Sequence, residues 1–84
     1  MTKLTSMKNI GKELERKLKI IGINSAEDLK KVGSKEAFFQ LKMKFPEVCL
    51  VHLYTLEGAI TDIDFNKLSE ETKKDLKKFS DDWK

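Results

Sequence analysis

"MKNIGKELERKLKIIGI", residues Met7 to Ile23, carries the clearest local signals in the chain. The chain has four glycines, and two of them bracket this one short, charged segment. Leu14, Leu18 and Ile21 recur at helical spacing, with Ile10 leading in, so the segment predicts an amphipathic helix over about Gly11–Ile21. Glu13–Lys17 and Glu15–Lys19 are acid-before-base pairs four residues apart, the favourable order on a helix. Gly22 suits the left-handed position after the last helical residue, where a side chain is strained. Ile23 is the apolar residue such an exit commonly buries.

The same period continues outward, and two-residue alternation is absent. Ser25-Ala26-Glu27-Asp28 has the spacing of an N-cap, opening a second helix with Leu29 and Val32 inward and Gly33 as its end. Ser34 is expected to cap a third helix, Lys35 to about Lys44, with Ala37, Phe38 and Leu41 inside and Phe45 closing the surface. Pro46 is expected in the first turn of a fourth helix, where a missing N–H costs nothing. "PEVCLVHLYTLEGAI", Pro46 to Ile60, is apolar on more than one face and predicts a central helix. Gly58 inside it costs about 1 kcal/mol against alanine. Close approach of another helix backbone is the expected compensation. "TDIDFNKL" is a connector with one helical turn. Ser69 caps a fifth helix, Glu70 to about Trp83, with the narrow stripe Thr72, Leu76, Phe79 and Trp83. The fold expected is all-α: one domain over residues 1–84, a small five-helix orthogonal bundle.

At 84 residues the chain buries about 60–65% of the surface its unfolded form exposes. That permits one modest core and no cleft between domains. Hydrophobic residues make up 39% and charged residues 37%, so the charges must coat helices with apolar inner faces. Up to Phe45 there are eleven Lys and Arg against five Asp and Glu; from Pro46 on, six against nine. A basic first half suggests a positive face able to meet nucleic acid or an acidic partner. One cysteine excludes an internal disulfide. No apolar stretch reaches signal-peptide or membrane-spanning length. The expected setting is the cytoplasm, with no membrane partner.

Catalysis finds little support. Cys49 and the single histidine, His52, lie three residues apart on one helix face. They read as a candidate nucleophile and base, or as a buried thiol beside a locally bonded histidine; the second reading is favoured. One Cys and one His do not make a zinc site. Asp62/Asp64 and Asp81/Asp82 fall near helix boundaries or the terminus, as capping and solubilising groups. No Gly-rich nucleotide loop occurs. Neither an enzyme nor a cofactor, metal or small-molecule substrate is expected.

The opening stretch remains. A turn ending in glycine before a helix presents backbone N–H groups at the positive helix end, which attracts phosphate. Lys8 and Lys12 flank the turn, Arg16 lies one helical turn on, and Lys3, Lys17 and Lys19 add charge. The candidate phosphate-binding set is Lys8, Asn9, Ile10, Gly11, Lys12 and Arg16, gripping a DNA backbone without reading bases. The alternative is a tight turn beside a solvated basic face. A weaker second candidate is the helix start at Gly33-Ser34-Lys35. Phe39, Met43 and Phe45 exceed what one inner stripe needs. They, or an exposed Trp83, would serve a protein-interaction adaptor or homodimer. Tyr54 reads as core with a tethered hydroxyl.

Asn9-Ile10-Gly11, then a helix, then Gly22-Ile23 and a capped helix, resembles helix-hairpin-helix and SAM-like modules, and more loosely the C-terminal domain of the RNA polymerase alpha subunit. Closer is the C-terminal domain of the TfoX/Sxy competence regulators. Asn9-Ile10-Gly11, Leu18, Gly22-Ile23, Leu29, Gly33, Glu36-Ala37-Phe38 and "VCLVHLYTLEGAI" resemble that domain in the same order, from Leu4 to about Phe79. Leu53–Ile60 is the most specific part. The resemblance implies an all-helical fold related to helix-hairpin-helix domains. It also implies a regulatory role in DNA uptake or transcription, through duplex DNA or a DNA-bound regulator. Full-length members carry an additional N-terminal domain, so the sequence reads as a stand-alone unit. Only Met1 to Ser6 precede the hairpin, and Asn9 stands where many such hairpins have their first glycine. Asparagine tolerates left-handed geometry.

Overall fold

Local bonds at Gly22 show why the first helix stops where it does. Gly22 has φ 92°, its N–H donates to the Lys19 carbonyl at 3.0 Å, and the Ile23 N–H donates to the Leu18 carbonyl at 2.9 Å. This paired closure also buries Ile23 beside Leu18. The computed structural model describes residues 2–82. They form a 3-10 turn at Leu4–Ser6, then α1 (Lys12–Ile20), α2 (Ala26–Val32), α3 (Ser34–Lys44) and α4 (Leu50–Thr61). A second 3-10 turn at Phe65–Lys67 leads into α5 (Glu70–Asp82). This is an all-α five-helix bundle, with no strand among the described residues. The expected place of Trp83 at the end of the α5 stripe lies outside them.

Leucines dominate the core. Leu4, Leu18, Leu29, Leu41, Leu53 and Leu56 are fully enclosed around Phe38 and Val48. α4 is the hub, packed against α2, α3, α5 and the second 3-10 turn. That explains why its apolar residues are not confined to one stripe. No described helix is long and apolar enough to cross a membrane.

Two helix starts differ from the sequence expectation, and one agrees with it. Ser25 does cap α2, accepting from the Asp28 N–H at 3.2 Å. Ser34, by contrast, is already the first residue of α3, after Gly33 at φ 90°. Its hydroxyl turns to Glu57 on α4, donating to Oε1 at 2.6 Å. Pro46 lies before α4, in a turn that the Val48 N–H closes on the Phe45 carbonyl at 2.9 Å. Proline's fixed φ suits the second position of such a turn as well as a helix start. α4 instead begins after Cys49, whose N–H donates to His52 Nδ1 at 3.1 Å. Cys49 is exposed rather than buried, and the two side chains lie 3.6 Å apart as parts of a helix cap.

Burial, with nearby Lys17 adding to it, lowers the His52 pKa below its usual value. The unfolded chain therefore takes up a proton first as pH falls, and stability present above about pH 6.5 declines below it. Glu27 is held down to about 2 by the Thr2 N–H and hydroxyl, so its loss belongs to a separate, more acidic window. Urea midpoints are expected to fall between pH 7.5 and 5.5, and His52→Gln to flatten that slope. An unchanged slope in the variant would assign the decline to other groups.

Gly58 has the close neighbours its position in α4 demands, but they are not another helix. A Cβ there would collide with Asn9 Nδ2 and the Ile63 carbonyl, and would crowd the Phe65 N–H at 3.3 Å. Asp62, at φ 60°, ends α4 in the left-handed conformation. The Ile63 N–H then returns to the Gly58 carbonyl at 2.9 Å. The connector folds back over Gly58, and Asn9 closes the third side.

Candidate functional site

The hairpin is built from bonds that the 3-10 turn and Asn9 supply. The Met7 N–H donates to the Leu4 carbonyl at 3.0 Å, and the Ile10 N–H to the Met7 carbonyl at 3.4 Å. Asn9 reverses the chain at φ 72°, the left-handed region that asparagine accepts. Its side chain serves as a clamp. Nδ2 donates to the Ile63 carbonyl at 3.0 Å, and Oδ1 accepts from the Phe65 N–H at 3.4 Å. Ile10 is buried in the core. Of the six candidate residues, Asn9 is thus engaged inside the fold, and Ile10 offers solvent no side chain.

Gly11 occupies the N-cap of α1 with φ −95° and ψ 179°, an extended backbone open to any residue. A Cβ there would meet nothing within 4 Å. Neither strain nor crowding demands glycine at this place, in contrast to Gly22 and Gly58. The first backbone bond of α1 runs from the Glu15 N–H to the Gly11 carbonyl at 3.0 Å. The N–H groups of Gly11, Lys12 and Glu13 precede it and have no partner among the described residues. All three residues are exposed. The absent side chain leaves three donors uncovered at the positive end of a helix.

The surrounding cations divide into two groups. Lys8 and Lys12 are exposed and form no ion pair among the described residues. Arg16 is engaged: its NH2 group lies 2.6 Å from Glu13 Oε1. That contact holds the Glu13 carboxyl below its usual pKa. Lys17 turns away, with its side chain 12% exposed, 3.3 Å from Glu47 and over the Phe45 ring at 5.4 Å. The positive field at the turn therefore comes from Lys8 and Lys12, while Arg16 and Lys17 are largely neutralised by carboxylates. Lys67 is a further exposed cation that the sequence reading left out. It lies two residues beyond Phe65, on the segment that Asn9 ties to the hairpin. No local pattern signals that proximity, since 56 residues separate Asn9 from Phe65.

The other candidates are placed as follows. Gly33-Ser34-Lys35 faces a groove whose Glu57 carboxylate takes the Ser34 hydroxyl and whose Asp75 takes Lys35 at 2.8 Å. Carboxylates already occupy this second helix start. Tyr54 is half-buried, and its hydroxyl donates to the Lys73 carbonyl at 3.4 Å. Among the described residues no three His, Cys, Asp or Glu side chains converge to hold a metal ion.

These features define a small all-α domain whose glycine-ended hairpin opens a short basic helix. Residues 1–80 match the TfoX C-terminal domain, and the chain belongs to that family. It is also similar to two crystal structures from Listeria monocytogenes. One, an uncharacterized protein in a triclinic form, is 44% identical with a TM-score of 0.91, covering 94% of this chain and 90% of the other. The second, a protein of unknown function in a tetragonal form, is 43% identical with a TM-score of 0.92, covering 96% and 99%. No curated protein matches the chain.

Proposed function

We propose that this domain is a non-enzymatic regulatory module of the cytoplasm that holds duplex DNA by its phosphate backbone through the turn from Lys8 to Lys12. One observation carries the reading: Gly11 is a glycine that neither backbone strain nor packing requires, and its bareness leaves the amides of Gly11, Lys12 and Glu13 open between two unpaired lysines. A phosphate oxygen needs that arrangement, with donors reachable at close range and positive charge on either side. Such contacts position a protein on DNA without reading sequence, which fits a regulator that acts with other DNA-bound proteins. Membership of the TfoX C-terminal domain family supports a role in transcription or DNA uptake.

Gly11→Ser separates this reading from a merely structural turn. A serine at the N-cap accepts from the amides two or three residues on and is at least as good a cap as glycine. Stability is expected to hold or rise by a few tenths of a kcal/mol. Duplex affinity is expected to fall several-fold at low salt, because the hydroxyl takes donors the phosphate would use. Thermal melts and a mobility-shift titration read the two quantities. Unchanged affinity in the serine variant would remove the amides from the site. The competing reading is a protein-interaction adaptor without DNA contact. It is favoured by the exposure of Met43 beside Phe39, and it predicts no shift of wild-type protein at any salt.

A further inference from the structure

α3 turns one stripe outward, made of Glu36, Phe39, Gln40, Met43 and Lys44, with an acid near its start and a base at its end. Met43 is 68% exposed, the barest large apolar side chain among the described residues. Lys44 is exposed and has no ion pair among them. Glu36 is exposed as well, with Oε2 accepting from Gln40 Nε2 at 3.0 Å and Oε1 open. Two depressions flank the stripe and share Phe39 as a wall. The larger, about 920 Å3, lies between α3, α4 and α5, with Phe39, Ile60, Leu76 and Phe79 along its apolar floor. Glu36, Glu57, Glu71 and Asp75 stand around it. Its one cation, Lys35, is already held by Asp75.

We infer that the domain pairs with a second copy of itself through antiparallel α3 helices, Met43 of each copy seated in the larger groove of the other. A two-fold axis passing at Gln40 places residue 44 of one copy beside residue 36 of its partner, and residue 43 one position along, next to Glu36. The most exposed apolar side chain thereby meets the apolar floor next to Glu36. The same operation lays Lys44 against the partner's Glu36, twice over. A parallel pairing would set Lys44 against Lys44 and Glu36 against Glu36, which repel. An acidic peptide would match Lys44 but meet the carboxylates of the groove. The sign change along α3 thus selects a copy running in the opposite direction, and the contact closes on itself as a dimer.

Sedimentation equilibrium at low salt, from about 10 μM to 1 mM, tests the pairing. Wild-type protein is expected to show a reversible monomer–dimer equilibrium that weakens with salt. Met43→Glu removes an apolar side chain that is bare in the single copy, so helicity by circular dichroism should be retained. It should raise the dissociation constant at least about tenfold. E36K and K44E should each weaken the dimer several-fold, and the double variant E36K/K44E should recover most of the loss by restoring opposite charges. A wild-type monomer across the whole range, a species larger than a dimer, or a double variant as weak as the two single losses combined would each overturn the pairing. Lys8 and Lys12 lie outside the stripe, so K8E/K12E should leave the dimer unchanged, and failure of one proposal is distinguishable from failure of the other.

Discussion

Gly58→Ala is expected to destabilise the domain by about 2–3 kcal/mol, a fall of roughly 10–20 °C in melting temperature for a chain of this size. The direction runs against helix propensity, which by itself rewards the change with about 1 kcal/mol. The added methyl would collide with two groups that cannot both move: the Ile63 carbonyl, which is main chain, and the Asn9 amide. Evicting Asn9 breaks its bonds to Ile63 and Phe65. Shifting Ile63 strains the left-handed exit at Asp62 and its return bond to Gly58. Two hydrogen bonds at about 1 kcal/mol each, plus overpacking of about 1–3 kcal/mol, outweigh the propensity gain. Asn9→Ala removes the same clamp and leaves φ 72° to a residue without asparagine's tolerance of the left-handed region, so it should cost about 2 kcal/mol. Asn9→Gly relieves the backbone strain and isolates the lost bonds. A double-mutant cycle between positions 9 and 58 should show less than additive loss, because alanine at 58 has already displaced the side chain. A Gly58→Ala variant as stable as the wild type would mean that the connector yields freely and that the clamp does not hold the hairpin.

The second large effect concerns binding. Lys8→Glu with Lys12→Glu is expected to lower duplex affinity by on the order of a hundredfold in low salt. Both lysines are exposed, so the fold should be unaffected. Each reversal removes one phosphate contact and sets a carboxylate beside the open amides, where it competes with phosphate for the helix end. The loss should be similar for unrelated sequences, because backbone contacts carry no base information. The slope of log affinity against log salt should shrink by about two, one for each contact removed. Arg16→Glu is expected to matter less than either lysine, since Glu13 already engages that guanidinium. Wild-type protein that fails to shift any duplex at low salt would end the DNA reading, leaving the fold and the self-pairing of α3 to be judged by their own tests.

Much of the architecture was legible because its signals are local. Gly22 after Ile21, Ser25 before Ala26 and Ser69 before Glu70 act within four or five residues of where they sit. Their hydrogen bonds follow from sequence spacing alone. The Ser69 hydroxyl accepts from the Thr72 N–H at 3.2 Å, as that spacing requires. Ser34 and Pro46 show where such reasoning breaks. Both have more than one acceptable local role, and for Ser34 a distant partner chose between them. Glu57, 23 residues away, drew the Ser34 hydroxyl out of a capping role. Pro46 settled into a turn because α4 starts only at Leu50.

The candidate site divides along the same line. Backbone preference and neighbouring residues suffice to place a turn at Asn9-Ile10-Gly11, a helix after it and lysines on either side. Which of these groups remain available was settled by long-range packing. It used Asn9 to lock the connector, turned Lys17 toward Glu47, paired Arg16 with Glu13, and left the Gly11 amides bare. The reason is physical. A side chain's availability depends on what long-range packing brings within about 3 Å of it, and only assembly of the whole chain settles that.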